Sequence, residues 1–374
     1  MLTTKNSFLK RRYFKALIFQ GFSMFSAIFC FFILAIFIVS ITKNAILPLR
    51  SVEIHYSKNL ELFIKNNLEH NKIENFIPKS IKYQSRNSND FWTPVKYDFK
   101  KYFLTKDSQN TEMLKDYQKL KLYAVENHLI KTGFNWNFFK NNNSIYPEIS
   151  GIKGATIGSI YVILIFIALT IPAGILVGLY ISEFLQNGKV QSILKVNIQN
   201  LASIPSIIYG IIVLNIFVNI FEFNRGSALV GGIALSLLIL PMIIMITYNA
   251  AAMVPQGYKD SALSLGLSNV QATMIVTLPL SMPRIITGIL LSIARAAGET
   301  APLIILGMAF FSSTTPTSLV NQATTTLPLQ IFLWTSDPQE AFIEYASAGI
   351  MVFIIFLTSI NFVVHLIRNK LQRI

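Results

Sequence analysis

The sequence predicts an all-α membrane protein of about six transmembrane helices, on two observations. The chain is 52% hydrophobic and only 13% charged, about half the charged share of an ordinary soluble domain. Its apolar residues are also gathered into runs of about 20 or more, long enough for a helix to cross a bilayer while satisfying its own backbone. These runs lack period-two alternation and are too long for barrel strands. The net charge of +14 does not signal nucleic-acid binding, because Lys and Arg lie almost entirely outside the apolar runs. Cys30 is the single cysteine, so no disulfide forms within the chain. His55, His70, His128 and His365 have no metal-ligand spacing.

The first span is expected over residues 16–41. It is too long for a signal-peptide core and is retained. Lys10, Arg11, Arg12 and Lys15 precede it, which puts the N-terminus in the cytoplasm by the positive-inside rule. Residues 1–42 make the first unit. Residues 43–153 carry 18 Lys or Arg and 11 Asp or Glu. They read as a soluble insertion on the far side, since long loops translocate regardless of charge. Helices are expected at 57–76 and 111–131. Leu114, Tyr117 and Leu120 share a face of the second, either a binding face or the inside of a small packed cap. The transmembrane domain, residues 154–374, supplies spans at 154–184, 196–221, 227–252, 283–311 and 345–366. Six crossings return the C-terminus, with Arg368, Lys370 and Arg373, to the cytoplasm. Lys189 and Lys195 lie in a short cytoplasmic loop. Arg225, near Glu222, is the one outer-side exception. Pro172, Pro205, Pro241 and Pro302 interrupt spans, which suits a moving pathway or plain kinked packing. Gly174 and Gly178 form a small-xxx-small pair suited to close helix contact.

Two stretches carry chemistry. Residues 251–283 form the least apolar part of the second half, on the cytoplasmic side, and read as helix, turn, helix. Pro255 suits a first helical turn. Gly266 can take the left-handed conformation that ends a helix. Ser268 and Gln271 make a capping box, and Pro279 ends or kinks the second helix. Further on, Arg295 lies roughly 16 Å into the fifth span, with Glu299 one turn later on the same face. A charge at that depth faces a cavity or a partner. The pair is either a salt bridge that locks packing or part of an anion path, for which Arg offers fixed charge and planar donors. No P-loop motif occurs in the chain.

Asp260, Ser261, Ala262, Gly266, Val276, Leu278 and Pro279 match, at family spacing, the E-A-A, three residues, Gly, nine residues, Ile-x-Leu-Pro motif of ABC importer permeases. Asp stands for Glu, Ser for the first Ala and Val for Ile. The stretch ARAAGETAPL from Ala294 to Leu303 is similar to the R-A-x-G-E-T-A-P signature of phosphate transporter permeases of the PstA type. Ile204 to Gly210 resembles that family's V-P-S-I-V-[FY]-G run. Thr325 to Ile331, with Trp334, resembles its T-T-L-P-x-Q-I segment. The resemblance covers residue 134 to the end. It implies a type I ABC importer permease (MetI-like) core with an extracytoplasmic insertion in the cell inner membrane. It implies an ATPase-docking loop with Tyr258, Asp260, Ser261, Ala262, Gly266, Leu278 and Pro279. It also implies a phosphate path using Arg295 and Glu299. The implied partners are an ABC ATPase, a second related permease, an extracytoplasmic phosphate-binding protein and membrane lipid, with no nucleic acid. The chain is then no enzyme and binds no cofactor itself, ATP being used by the partner. Many members have a basic and an acidic residue where this chain has Met245 and Asn249. The other readings are an ABC permease for molybdate or sulfate, a secondary anion transporter relaying protons through the Arg295–Glu299 pair, and a membrane-anchored sensor.

Overall fold

The computed structural model describes residues 2–70, 72–78, 91–105, 113–185 and 188–371. Helix α1 (Leu2–Leu49) extends the expected first span in both directions. From Met24 to Val39 its large apolar side chains are exposed, including both rings of the Phe31–Phe32 pair, and Cys30 is exposed among them. Among its described side chains, burial is confined to the Leu49 end, at Ile41, Ala45, Leu47 and Pro48.

Strand β1 (Arg50–Tyr56) follows α1 without a linker. It is the centre of a three-stranded antiparallel sheet, ordered β2-β1-β3 with β2 (Phe91–Pro94) and β3 (Ile130–Phe134). The register sets Glu53 opposite Pro94 and Arg50 opposite Phe134. This sheet is absent from the helical expectation for residues 43–153. Its strands are short and carry Glu, His, Lys and Trp, so their alternation is faint. It survives because Val52 and Ile54 point into a core with Leu60, Ile64, Phe76, Phe99, Tyr117 and Leu120.

Helix α2 (Lys58–Asn67) starts where Ser57 Oγ accepts from Leu60 N at 3.3 Å and stops before Leu68, short of the expected residue 76. Helices α3 (Tyr97–Thr105) and α4 (Leu114–Glu126) complete the cap. The start of the expected 111–131 helix lies outside the described residues. Tyr117 and Leu120 are buried as expected, but Leu114 is exposed, because the buried face continues through Ala124 instead. The short helix α5 (Asn137–Lys140) buries Phe138 beside Trp334 and Tyr345, fixing the cap to the transmembrane bundle.

Helix α6 (Lys153–Glu183) buries every fourth residue in turn: Gly154, Gly158, Val162, Phe166, Thr170, Gly174 and Gly178. That ridge packs on α9 (Ala228–Ala252), the most buried span. A Cβ on Gly174 would meet Ile243 Cγ2 at 2.5 Å, and one on Gly178 would meet Ile244 O at 2.8 Å. The third crossing is a bent pair. Helix α7 (Lys189–Ala202) turns by 93° into α8 (Ser206–Val213), which widens into a π-turn at Leu214–Ile220. Among the described residues five helices are long and apolar enough to cross a membrane, and the bent pair, taken as one span, makes a sixth.

The fifth span differs from expectation at both ends. After α10 (Gln256–Ser264), the helix begins at α11 (Asn269–Ala272), passes a π-turn at Thr273–Thr277 and continues as α12 (Leu278–Gly298). Of the two readings of Pro279, an end or a kink, the structure removes the end: the helix runs on through it to Gly298. Pro279 cannot donate to the Ile275 carbonyl, and the π-turn immediately before it absorbs the clash. Helix α13 (Ala301–Ile305) follows a break at Glu299 and Thr300. Helix α14 (Leu327–Thr335) then packs on the last span, α15 (Glu340–Leu371).

Candidate functional site: a broken span and a short exposed helix

Arg295 sits in the last turn of α12. The helix stops at Gly298 because Pro302 follows four residues later, with no N–H for the Gly298 carbonyl and a ring that would strike it. Glu299 caps the helix with ψ near 126° and leaves the helical face. The expected one-turn stacking of Arg295 and Glu299 is thereby corrected. No ion pair joins the two among the described residues. Arg295 is exposed, with Nη1 3.9 Å from Met242 Sδ, while Glu299 is half-buried.

Met242 gives the depth of that contact. At 1.5 Å per residue it lies roughly 21 Å from the Ala228 end of α9 and roughly 15 Å from the Ala252 end. The guanidinium thus reaches the middle third of the bundle although its helix is about to end. Facing lipid there costs about 2.5–3.5 kcal/mol on insertion scales. An exposed arginine at this depth marks a water-filled or partner-covered face.

The other two motif segments build the walls around the break. A Cβ on Gly210 would meet Pro302 Cα at 2.8 Å, so α8 and α13 touch through backbone. Tyr209 Oη donates to Leu201 O at 2.8 Å and pins the bend between α7 and α8. On the far side, the Thr325 carbonyl lies against Gly158, and Leu327 N donates to Ser159 Oγ at 2.7 Å. A space of about 10 Å³ between Ser159, Thr326, Ala296 and Ala297 has room for about one water.

The 251–283 loop is built as its residues dictate. Helix α10 ends in a Schellman motif: Leu267 N bonds Ala262 O at 3.3 Å and Gly266 N bonds Leu263 O at 2.9 Å. Gly266 has φ +89°, the left-handed conformation expected of it. Ser268 and Gln271 form the complete capping box. Tyr258, Ser261 and Leu265 share one exposed face of α10, and Leu265 is 84% exposed. Asp260 is exposed and accepts from Gln256 Nε2 at 3.3 Å. Ala262, one turn on from Tyr258, is buried at the margin of that face, Leu278 is half-buried and Pro279 is exposed.

Sequence reasoning missed one contact here. Lys259 Nζ lies 2.8 Å from Glu183 Oε2, and both side chains are largely shielded. A signal for it existed. Glu183 is the one acidic residue between Glu148 and Glu222, and it ends the second span.

A broken span carrying Arg295 is thus joined, through the Gly266 turn, to the short exposed helix α10. Residues 170–373 match the family of binding-protein-dependent transport system inner membrane components, and the chain belongs to that family of ABC permeases. It is similar to the phosphate transport system permease protein PstA of Haemophilus influenzae, with 30% identity over 60% of this chain and 78% of that protein. PstA 2 of Mycobacterium bovis is 33% identical over 60% of this chain and 73% of its own length. The probable ABC transporter permease YqgI of Bacillus subtilis is 30% identical over 58% and 76%. Among solved structures, the inward-facing MetNI methionine ABC transporter covers 59% of this chain and 95% of its own, with 17% identity and a TM-score of 0.46. The chain is a multi-pass membrane protein.

Proposed function

We propose that the chain is a permease subunit of an ATP-driven importer of inorganic phosphate. One observation carries the reading: an arginine at mid-bundle depth, with no acid paired to it among the described residues, beside a break in its own helix. A guanidinium free of a carboxylate partner can offer its planar donors to a phosphate oxygen pair. The names of the two PstA relatives support phosphate as the anion. Glu299, half-buried at the break, stands near enough in sequence to limit how tightly an anion is held.

In this reading the exposed Tyr258–Ser261–Leu265 face, with Asp260, Gly266, Leu278 and Pro279 shaping the loop around it, meets an ABC ATPase subunit. That partner binds and hydrolyses ATP. A second, related permease covers the Arg295 face, and a phosphate-binding protein delivers substrate on the cap side. Both termini then lie in the cytoplasm and residues 43–153 outside, in the cell inner membrane. ATP-driven alternation opens the Arg295 face first outward, then inward.

The test is uptake by the reconstituted transporter. ATP should drive phosphate accumulation, with excess sulfate or molybdate competing poorly. Arg295→Gln should abolish uptake with normal assembly, and Arg295→Lys should retain part of it. Uptake driven by a proton gradient without ATP, or a preference for molybdate or sulfate, would overturn the reading.

A further inference from the structure

We infer that the Lys259–Glu183 ion pair is the joint through which displacement of α10 reaches the membrane helices, with both side chains acting as positioning residues. The inference rests on reading α10 as the ATPase contact. Its geometry is specific. Glu183 Oε2 takes the Lys259 ammonium at 2.8 Å, with the two side chains 9% and 15% exposed. The same oxygen lies 3.5 Å from Thr277 Oγ1, a long contact from a residue that is 1% exposed. Glu183 Oε1 accepts from Ser182 Oγ at 3.2 Å, and Gln191 Nε2 donates to Ile181 O at 2.9 Å just above.

One carboxylate therefore touches three elements. It ends α6, it holds α10, and it meets the last residue of the π-turn that leads into α12 and Arg295. Helix α10 has two sides with two jobs. Tyr258, Ser261 and Leu265 are left exposed, while Lys259 and Ala262 turn back toward the bundle. An ion pair exposed to water exchanges partners and slips under load. A shielded pair keeps its geometry, because either charge alone is poorly tolerated there. Pushing on the exposed side of α10 must then move Glu183, and with it the closely packed α6–α9 unit. The π-turn beside Thr277 is a local irregularity of the kind found at functional positions in helices.

The experiment uses the complete transporter in proteoliposomes, with phosphate uptake and ATP hydrolysis read in the same vesicles. Lys259→Met and Glu183→Gln should each lower phosphate moved per ATP by roughly tenfold, a size typical of residues on a coupling route. Lys259→Arg should hold the wild-type ratio. The reversed pair, Lys259→Glu with Glu183→Lys, should recover most of it. A purely structural staple would instead reduce the amount of assembled complex and leave the ratio of the assembled fraction unchanged; that result, or a reversed pair no better than the single changes, overturns the inference. Leu265→Glu separates the two readings. It should release the ATPase during co-purification, and retention of the ATPase would sink the docking assignment while leaving the measurements on the pair to stand by themselves.

Discussion

Arg295 and Glu299 are four residues apart, yet Pro302 denies them a shared helix. Their separation has an energetic consequence. Groups that act independently, with no partner in common, contribute additively to stability, within about 0.5 kcal/mol. Arg295→Gln and Glu299→Gln should therefore add in a thermal double-mutant cycle on the purified transporter. A coupling energy well above about 1 kcal/mol would restore the salt bridge that the helix break removes. Asp116 in the cap behaves differently. Burial alone would raise its carboxyl, but the backbone N–H groups of His70 and Glu69, at 2.8 and 3.1 Å, and the His70 ring hold it below its ordinary 3.8. A depressed folded value means that this stabilisation is complete above the unfolded value and is lost as pH falls through the folded one. Cap stability, followed by limited proteolysis, should thus drop on acidification below pH 3.8. Asp116→Asn should lower stability by about 1–3 kcal/mol at neutral pH and flatten that acid dependence, because two part-buried backbone donors keep only a weaker acceptor. An unchanged acid profile in the variant would assign the transition elsewhere.

Helix contacts set what each element tolerates. The α6 ridge puts Gly174 and Gly178 where added atoms would strike the side chain of Ile243 and the backbone of Ile244. Gly178→Leu should cost about 1–3 kcal/mol or more by overpacking, read as a fall in detergent melting temperature. Leu176→Ala, on the exposed side of the same helix, should leave that temperature nearly unchanged. A Gly178→Leu variant as stable as wild type would mean that α6 and α9 can slide apart at no cost. At Gly266 the limit is conformation rather than space, since a Cβ there meets nothing within 4 Å. A bulky β-branched residue pays roughly 1–2 kcal/mol to hold φ at +89°, whereas Asn tolerates it. Gly266→Asn should consequently keep transport close to wild type, and Gly266→Val should impair it. Equal transport by both variants would show that the turn is not needed in that form.

For the molecule as a whole, legibility followed the range of the interactions. The capping box and the left-handed Gly266 depend on neighbours a few residues away and were readable from residue type and spacing, as was the number of spans, but not the bounds of the fifth. The α6 ridge was half readable, because Gly174 and Gly178 stood out while Val162, Phe166 and Thr170 on the same four-residue step did not. Long-range features were not readable. The cap sheet pairs Arg50 with Phe134 through short strands of mixed polarity. The end of α12 is set by a proline beyond the helix, and Glu183 meets Lys259 only after two spans have packed. The sidedness of the bundle was inferred from Lys and Arg and has a direct check. In a Cys30→Ser background, Leu122→Cys on the exposed surface of the cap should react with an impermeant maleimide added to intact cells. Reaction only after permeabilisation would invert the topology.

Strand β1 continues directly from α1, and both its edges are claimed by strands made later. During synthesis α1 enters the membrane first and carries a bare strand with it. The β3 partner is about 80 residues behind, a delay of roughly 4–16 s at ordinary elongation rates. Until β2 is made, about halfway through that interval, the newborn chain displays two open sheet edges, and after it one, each a pairing template for any extended segment nearby. Biogenesis of this subunit therefore has a vulnerable window that closes only when β3 arrives, just before α6 begins to insert.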